Sequence, residues 1–233
     1  MALFKSHLNT KVMNQPLSEA LNKLMSLYQS RKHPLDYHNL YQLVVMVVLS
    51  AQDSDKHINQ LAPSFFETYP TFETLSLAQP EDLHSYLNSV RNFGNKCIWL
   101  TKIAAIEKAL ENLPLDLPSL VQLPGIGRKS ANVILREAGR PAEGIIVDLH
   151  VLRVAPRIGI AEGSQPEKVE QQLMRLISKE RWGEIGMAIS FLGREVCRPT
   201  NPKCEVCVMN AVCCFYNGTH PDNRIFSDPS LFD

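Results

Sequence analysis

Leu120-Val-Gln-Leu-Pro-Gly-Ile-Gly-Arg-Lys-Ser-Ala-Asn-Val-Ile-Leu135 is the stretch on which the fold of this chain turns. Ala131, Ile134, Leu135 and Ala138 recur at helical spacing, so a helix is expected directly after a glycine-containing turn. Gly125 and Gly127 permit backbone angles that a tight turn can need, and they remove side chains that would block a close approach. The amides opening the following helix then point outward, and together with the helix dipole they suit a phosphate. Gly125, Gly127 and Arg128 are therefore candidates for a sequence-independent contact to a nucleic-acid backbone. A plain helix-to-helix turn is the competing reading, and two glycines alone favour it. Lys129 shifts the balance, because a cation in the first turn of a helix opposes the dipole and its placement calls for another use. The dipole and the neighbouring Arg128 are expected to lower its pKa, which favours the uncharged, nucleophilic amine. A lysine that only touches phosphate remains open.

Asp148 follows 19 residues later, in Gly144-Ile-Ile-Val-Asp-Leu-His-Val151. A carboxylate between apolar runs is costly unless it is paired, capping or functional. It is a candidate catalytic group and equally an N-cap for a helix beginning at Leu149, and the two roles are compatible. Further from the hairpin, Leu17, Ala20, Leu21, Leu24 and Leu27 share helical spacing, as do Ile58, Leu61, Phe65 and Phe66. The segment 39–51 is apolar nearly all round, which predicts a central helix. Helices are also expected over 81–90, 98–110, 169–178 and 185–196, punctuated by Pro70, Pro80, Pro114 and Pro118. Alternating β-branched runs are scarce, so the fold class is all-α. The segment after Gly218 reads as a loosely held tail.

Five of the six cysteines fall between Cys197 and Cys214. Disulfide proteins spread their cysteines to staple distant loops, so this crowding points to a metal site instead. Cys197, Cys204, Cys207 and Cys213 are spaced C-x6-C-x2-C-x5-C, and four thiolates suit zinc or a [4Fe–4S] cluster. Structural zinc more often uses two C-x2-C pairs, and here there is one. Cys214 is surplus to the spacing. Arg198 and Lys203 lie on the loop between the first two cysteines, as phosphate contacts or as ordinary surface charge.

With 24 basic and 24 acidic residues the formal charge is zero, which predicts modest non-specific affinity for nucleic acid and leaves local basic patches to make phosphate contacts. No apolar run is long enough to cross a bilayer, and the N-terminus lacks a signal-peptide pattern. A cytoplasmic protein is expected.

The Leu-Pro-Gly-x-Gly-Arg-Lys hairpin, the Val-Asp-x-His segment and the cysteine spacing together resemble the endonuclease III family of helix-hairpin-helix DNA glycosylases, over roughly residues 17–213. The resemblance implies two helical lobes with a DNA cleft between them. One is a six-helix barrel over 33–142. The other is a discontinuous iron–sulfur domain over 1–32 and 143–218, followed by the tail, 219–233. It implies a monomer acting on double-stranded DNA that carries a damaged base or an abasic site, near the bacterial nucleoid and away from membranes. A flipped nucleotide would be attacked at C1′ by Lys129, with Asp148 assisting, and β-elimination would cut the strand. A [4Fe–4S] cluster on Cys197, Cys204, Cys207 and Cys213 would be structural and DNA-positioning. Gln52, in Leu49-Ser-Ala-Gln-Asp-Ser-Asp55, would fill the gap left by the flipped nucleotide; without the resemblance it reads as a polar helix terminus, with Asp53 or Asp55 as a cap.

Three departures from the family pattern stand out. Leu149 replaces a threonine and cannot donate a hydroxyl hydrogen bond. One extra residue lies between Lys129 and Asp148, in the 139–144 loop. Arg91-Asn92 stands where a Gly-Leu pair is usual, in a loop that meets the opposite strand. The leading expectation is a bifunctional glycosylase and lyase for oxidised pyrimidines. A monofunctional glycosylase for alkylated or mismatched bases and a non-catalytic iron–sulfur DNA sensor are the alternatives.

Overall fold

The computed structural model describes residues 15–108 and 112–218; the expected tail over 219–233 lies outside them. All regular structure among the described residues is helical, and no strand is present there. The α-helices are α1 (Gln15–Tyr28), α2 (Leu40–Ser50), α3 (Asp55–Thr68), α4 (Phe72–Ser76), α5 (His84–Leu87) and α6 (Phe93–Glu107). They continue with α7 (Leu117–Leu120), α8 (Arg128–Glu137), α9 (Leu149–Ile158), α10 (Pro166–Leu176) and α11 (Trp182–Glu195). The chain divides into two compact units. One is Lys32–Pro141, and the other joins Met1–Arg31 to Ala142–Asp233. No described helix is long and apolar enough to cross a membrane.

In the unit Lys32–Pro141, α2 is the central element. Tyr41 and every residue from Leu43 to Leu49 are buried. An all-round apolar helix is stable only when it is surrounded, here by α3, α6 and α8. Asn39 starts it, its side chain accepting the Gln42 amide at 2.9 Å. Two expected elements differ from the sequence reading. The segment 81–90 is a 3-10 turn over Pro80–Leu83 running into the short α5, because Pro80 opens the turn and the chain bends again after Leu87. The helix expected over 98–110 begins earlier, at Phe93, since Asn92 in the left-handed region starts it ahead of the apolar pattern.

In the other unit, α11 packs against both α1 and α9. Ala20, Leu21, Leu24 and Tyr28 form the buried face of α1, whereas Leu27, expected inside, is 53% exposed. Tyr28 stacks on Phe191 of α11 at 5.6 Å between ring centroids. The helices α10 and α11 each begin three residues before the apolar pattern suggests, α10 at Pro166, whose missing amide is harmless at a first helical position.

A run of small residues on α11 decides how closely its neighbours approach. A Cβ on Gly186 would stand 2.5 Å from the Ile146 carbonyl oxygen, and one on Gly193 would stand 2.8 Å from the His150 Cβ. The first contact is backbone, which cannot swing aside. Gly186→Ala is therefore expected to destabilise the fold by about 2–3 kcal/mol, read as a fall in melting temperature of roughly 5–10 °C. An unchanged melting temperature would show that the 145–147 segment is free to retreat from α11.

Candidate active site and candidate metal centre

The hairpin joins α7 to α8. Asp116 caps α7 by accepting the Ser119 amide at 2.9 Å, and Leu123 and Ile126 are buried beneath the turn. Gly125 is left-handed with φ +79°, and a Cβ there would stand 2.6 Å from the Trp99 ring. Glycine is required at that position. Gly127 differs: its φ is −87°, open to any residue, and a Cβ would meet nothing within 4 Å. Neither the backbone angle nor the packing requires glycine there. Arg128 and Lys129 are exposed in the first turn of α8, while Ala131 to Leu135 point inward. Gly127, Arg128 and Lys129 are thus exposed in succession at the start of α8.

His33 lies near this surface in the same unit. Its Nδ1 accepts the Leu35 amide at 3.1 Å, so in the neutral ring the proton sits on Nε2. Burial pushes its pKa down to about 4; the carboxylate of Glu137 opposes this and the Lys129 ammonium reinforces it. The folded value lies below the ordinary 6.5, so between those values the unfolded chain binds more protons than the folded one. Stability is then full above pH 6.5 and lost as pH falls towards 4, by on the order of 2 kcal/mol after allowing for the part of the ring that water reaches. Urea unfolding of wild type and His33→Gln at pH 7 and pH 4.5 should show a smaller acid loss in the variant. Equal losses would rule this origin out.

Asp148 is the N-cap of α9. Its Oδ1 accepts the His150 and Val151 amides, both at 2.9 Å. Its Oδ2 accepts the Ser190 hydroxyl at 2.6 Å. Ser190 is buried on α11, one turn beyond Gly186, and nothing in the local sequence around Asp148 signals it. Leu149 is 57% exposed at the start of α9, so the hydroxyl it lacks is not missing from Asp148 itself: one arrives from α11.

Cys197, Cys204, Cys207 and Cys213 line one pocket of ≈ 350 Å³, its solvent-open part included, walled by Val154, Ile158 and Leu192. All six cysteines are thiols without a disulfide among the described residues. Cys214 does not line the pocket; it packs on Gly159, where a Cβ would come within 2.4 Å of its sulfur. Among the described residues no group of three or more His, Cys, Asp or Glu side chains is arranged to hold a metal ion. Burial pushes the Cys207 thiol up to about 11, and the neighbouring cysteine sulfurs add to the rise. Burial and sulfur neighbours raise Cys204 and Cys213 in the same direction. Four sulfurs that repel one another as thiolates favour a cationic centre among them.

Two buried arginines on α9, unremarked in the sequence reading, shape the cysteine loop. Arg153 donates to the Gly193 carbonyl at 2.9 Å and to the Cys197 carbonyl at 3.2 Å. Arg157 donates to the Arg198 carbonyl at 2.8 Å, to the Pro199 carbonyl at 3.1 Å and to the Cys197 sulfur at 3.5 Å. Its guanidinium also sits 4.8 Å from the Phe215 ring centroid. Arg198 and Lys203 are exposed on this loop, which the Lys203 amide closes on the Val196 carbonyl at 3.0 Å. Arg153 and Arg157 stand four residues apart on α9, which is a helical signal, but two arginines so placed read as surface charge until their burial is seen.

Gln52 is exposed and left-handed, with φ 61°. The cap expected at Asp53 or Asp55 is instead Ser54, whose hydroxyl accepts the His57 amide at 3.1 Å. Ser54 is one residue outside the helix and in extended backbone, the geometry a cap needs, whereas Asp53 is turned to other partners.

A model of the HhH-GPD superfamily of base excision DNA repair proteins matches residues 45–179. Endonuclease III of Rickettsia felis is 36% identical over 208 residues, covering 86% of this chain and 96% of that one. The fold superposes on a non-covalent endonuclease III–DNA complex with a TM-score of 0.78 at 31% identity, covering 88% of this chain and 98% of that one. It matches a trapped endonuclease III–DNA covalent intermediate equally well, TM-score 0.78 at 30% identity, covering 88% and 99%. With the glycine hairpin, the capping aspartate and the cysteine pocket, these likenesses show that the chain belongs to the HhH-GPD superfamily of base excision DNA repair proteins, within its endonuclease III family.

Proposed function

We propose that this protein is a base-excision repair DNA glycosylase with abasic-site lyase activity, acting on oxidised pyrimidines in duplex DNA in the bacterial cytoplasm. The observation that carries the reading is the exposed Lys129 amine in the first turn of α8, beside a hairpin face left open at Gly127. Amides and Arg128 at that helix start hold a phosphate, which fixes the strand while the damaged nucleotide turns out of the stack. Lys129 Nζ, once deprotonated, forms a bond to C1′ as the C1′–N bond to the base breaks, and the base leaves with the bonding pair. Ring opening gives a Schiff base between Nζ and C1′. Loss of a C2′ proton then expels the 3′ phosphate and cuts the strand.

Asp148 supports the step by stabilising positive charge that develops on the sugar or by moving a proton. Its Oδ1 is committed to two backbone amides and its Oδ2 to Ser190, so its orientation is set before DNA arrives. Gln52 enters the space left by the extruded nucleotide, and Arg198 and Lys203 contact phosphate from the cysteine loop.

The chemistry of the four-cysteine pocket fits a [4Fe–4S] cluster: the donor set is all sulfur, and Cys197, Cys204, Cys207 and Cys213 line one pocket. Bound there, the group would cross-link the four cysteines of the loop. Arg153 and Arg157 hold the carbonyls of 197–199 so that the loop keeps its shape.

The test is incubation with duplexes carrying thymine glycol or an abasic site, followed by borohydride. Cutting of both duplexes and a reduced covalent adduct are expected. Base release without strand cutting would move the reading to a monofunctional glycosylase, and DNA binding with no chemistry would move it to a sensor.

A further inference from the structure

Two exposed loops of the unit Lys32–Pro141 each carry a non-glycine residue in the left-handed region: Gln52, φ 61°, after α2, and Asn92, φ 58°, before α6. Such backbone is strained for a residue with a Cβ, more for glutamine than for asparagine, and persists where the surroundings over-determine it. One carboxylate supplies much of that constraint. Asp53 Oδ1 accepts the Ser54 amide at 2.8 Å and lies 2.8 Å from His57 Nδ1. Its Oδ2 accepts the Arg91 amide at 3.0 Å, across 38 residues of chain. His57 Nε2 in turn meets the Ser89 hydroxyl at 3.1 Å, a second link to the same loop. The Arg91, Ser54 and His57 contacts hold the Asp53 carboxyl below its usual range although partial burial acts against them.

The carbonyl side of the first loop is held as firmly. Lys96 on α6 is 1% exposed, yet its ammonium donates to the Leu49 carbonyl at 2.7 Å and the Ala51 carbonyl at 2.6 Å. A buried ammonium satisfied by carbonyls at the end of α2 complements the negative end of that helix dipole. Gln52 is thus bracketed by Lys96 on one side and Asp53 on the other, and the loop carrying Asn92 is tied to the same carboxylate.

We propose that Asp53 is a positioning residue that joins the Gln52 loop and the Arg91-Asn92 loop into a single preorganised element for entering duplex DNA. The inference rests on the repair reading above. Neither loop carries the reacting amine, so Asp53 acts on duplex penetration and not on the chemistry of Lys129. Preorganisation of this kind removes the cost of ordering two exposed polar tips at the moment of binding.

The test compares wild type with Asp53→Ala and the milder Asp53→Asn, which keeps one acceptor oxygen. Each is assayed for base excision from a thymine glycol duplex, for borohydride trapping on a single-stranded abasic oligonucleotide, and for hydrogen exchange at the Arg91 amide. An aldehyde on a single strand needs only the lysine, so trapping there should stay within about twofold of wild type. Duplex excision should fall at least tenfold in Asp53→Ala and less in Asp53→Asn, and the Arg91 amide should exchange at least tenfold faster. Should Asp53→Ala not fold, Asp53→Asn carries the same comparison. Equal losses on duplex and single strand, or Arg91 exchange unchanged with excision intact, would overturn the inference. Wild-type protein silent on every substrate would instead overturn the repair reading, and the inference with it.

Discussion

Lys129→Ala is expected to abolish the borohydride-trapped adduct and to lower strand cutting at an abasic site by at least about a thousandfold, since no other group is proposed to bond to C1′. The size of the effect follows from the mechanism: a covalent intermediate disappears with its nucleophile, whereas a lost phosphate contact weakens binding only modestly. Stability should hardly change. Lys129 is exposed, and a cation in the first turn of α8 opposes the helix dipole, so alanine is neutral or stabilising by a few tenths of a kcal/mol. A circular dichroism melt alongside the assay separates lost chemistry from lost fold.

Lys129→Arg sharpens the comparison. Arginine keeps the charge for phosphate but stays protonated, so it cannot form a Schiff base. DNA binding should persist and the adduct should vanish. An adduct that survives either substitution would assign the chemistry to another amine, and binding that collapses in alanine but not in arginine, with cutting preserved in arginine, would make Lys129 a phosphate contact only.

The second large effect concerns the cysteine pocket. Cys207→Ser is expected to remove the visible iron–thiolate absorption and most of the bound iron, and to cost several kcal/mol in the unit that contains α9 and α11. The cost arises because the loop 197–213 is held by few apolar contacts of its own. Met209 and Cys213 are its buried members. Without a central group, the three remaining cysteines are separate thiols and the cross-link that closes the loop is lost. Cys214→Ser is the internal control, since its sulfur packs on Gly159 outside the pocket. It should retain iron and colour. Iron analysis and limited proteolysis of both variants check the pair. Retained iron in Cys207→Ser, or equal loss in Cys214→Ser, would reassign the ligands.

Much of this molecule is local in origin. The all-round apolar run over 39–51 can only be a surrounded helix, and the structure buries it on every side because no polar face exists to turn outward. Gly125 sits before a helical pattern and is left-handed, and Asp148 precedes another and caps it, since turn and cap chemistry depend on a few adjacent residues. Boundaries were less legible. The start of α6 at Phe93 depends on Asn92 adopting a left-handed angle, which its neighbours in space impose. The division of labour between the two hairpin glycines also needed the structure, because Trp99 lies more than twenty residues from Gly125 and only packing brings its ring there.

The all-α class, the hairpin with Lys129 at its helix start, the capping aspartate and the four clustered cysteines can all be read from the chain alone. Each is a property of covalent spacing, helical period or turn chemistry over a short span. The groups that support them emerge from packing. Ser190 reaches Asp148 across 42 residues, Arg157 grips the cysteine loop across 40 or more, and Asp53 joins two loops across 38. The same structure turned Cys214 away from the pocket that Cys213 lines. The physical reason is common to all of these. A hydrogen bond to a distant backbone carbonyl or carboxylate leaves no periodic trace in the chain, and it exists only once apolar packing has fixed the helices that carry its two ends.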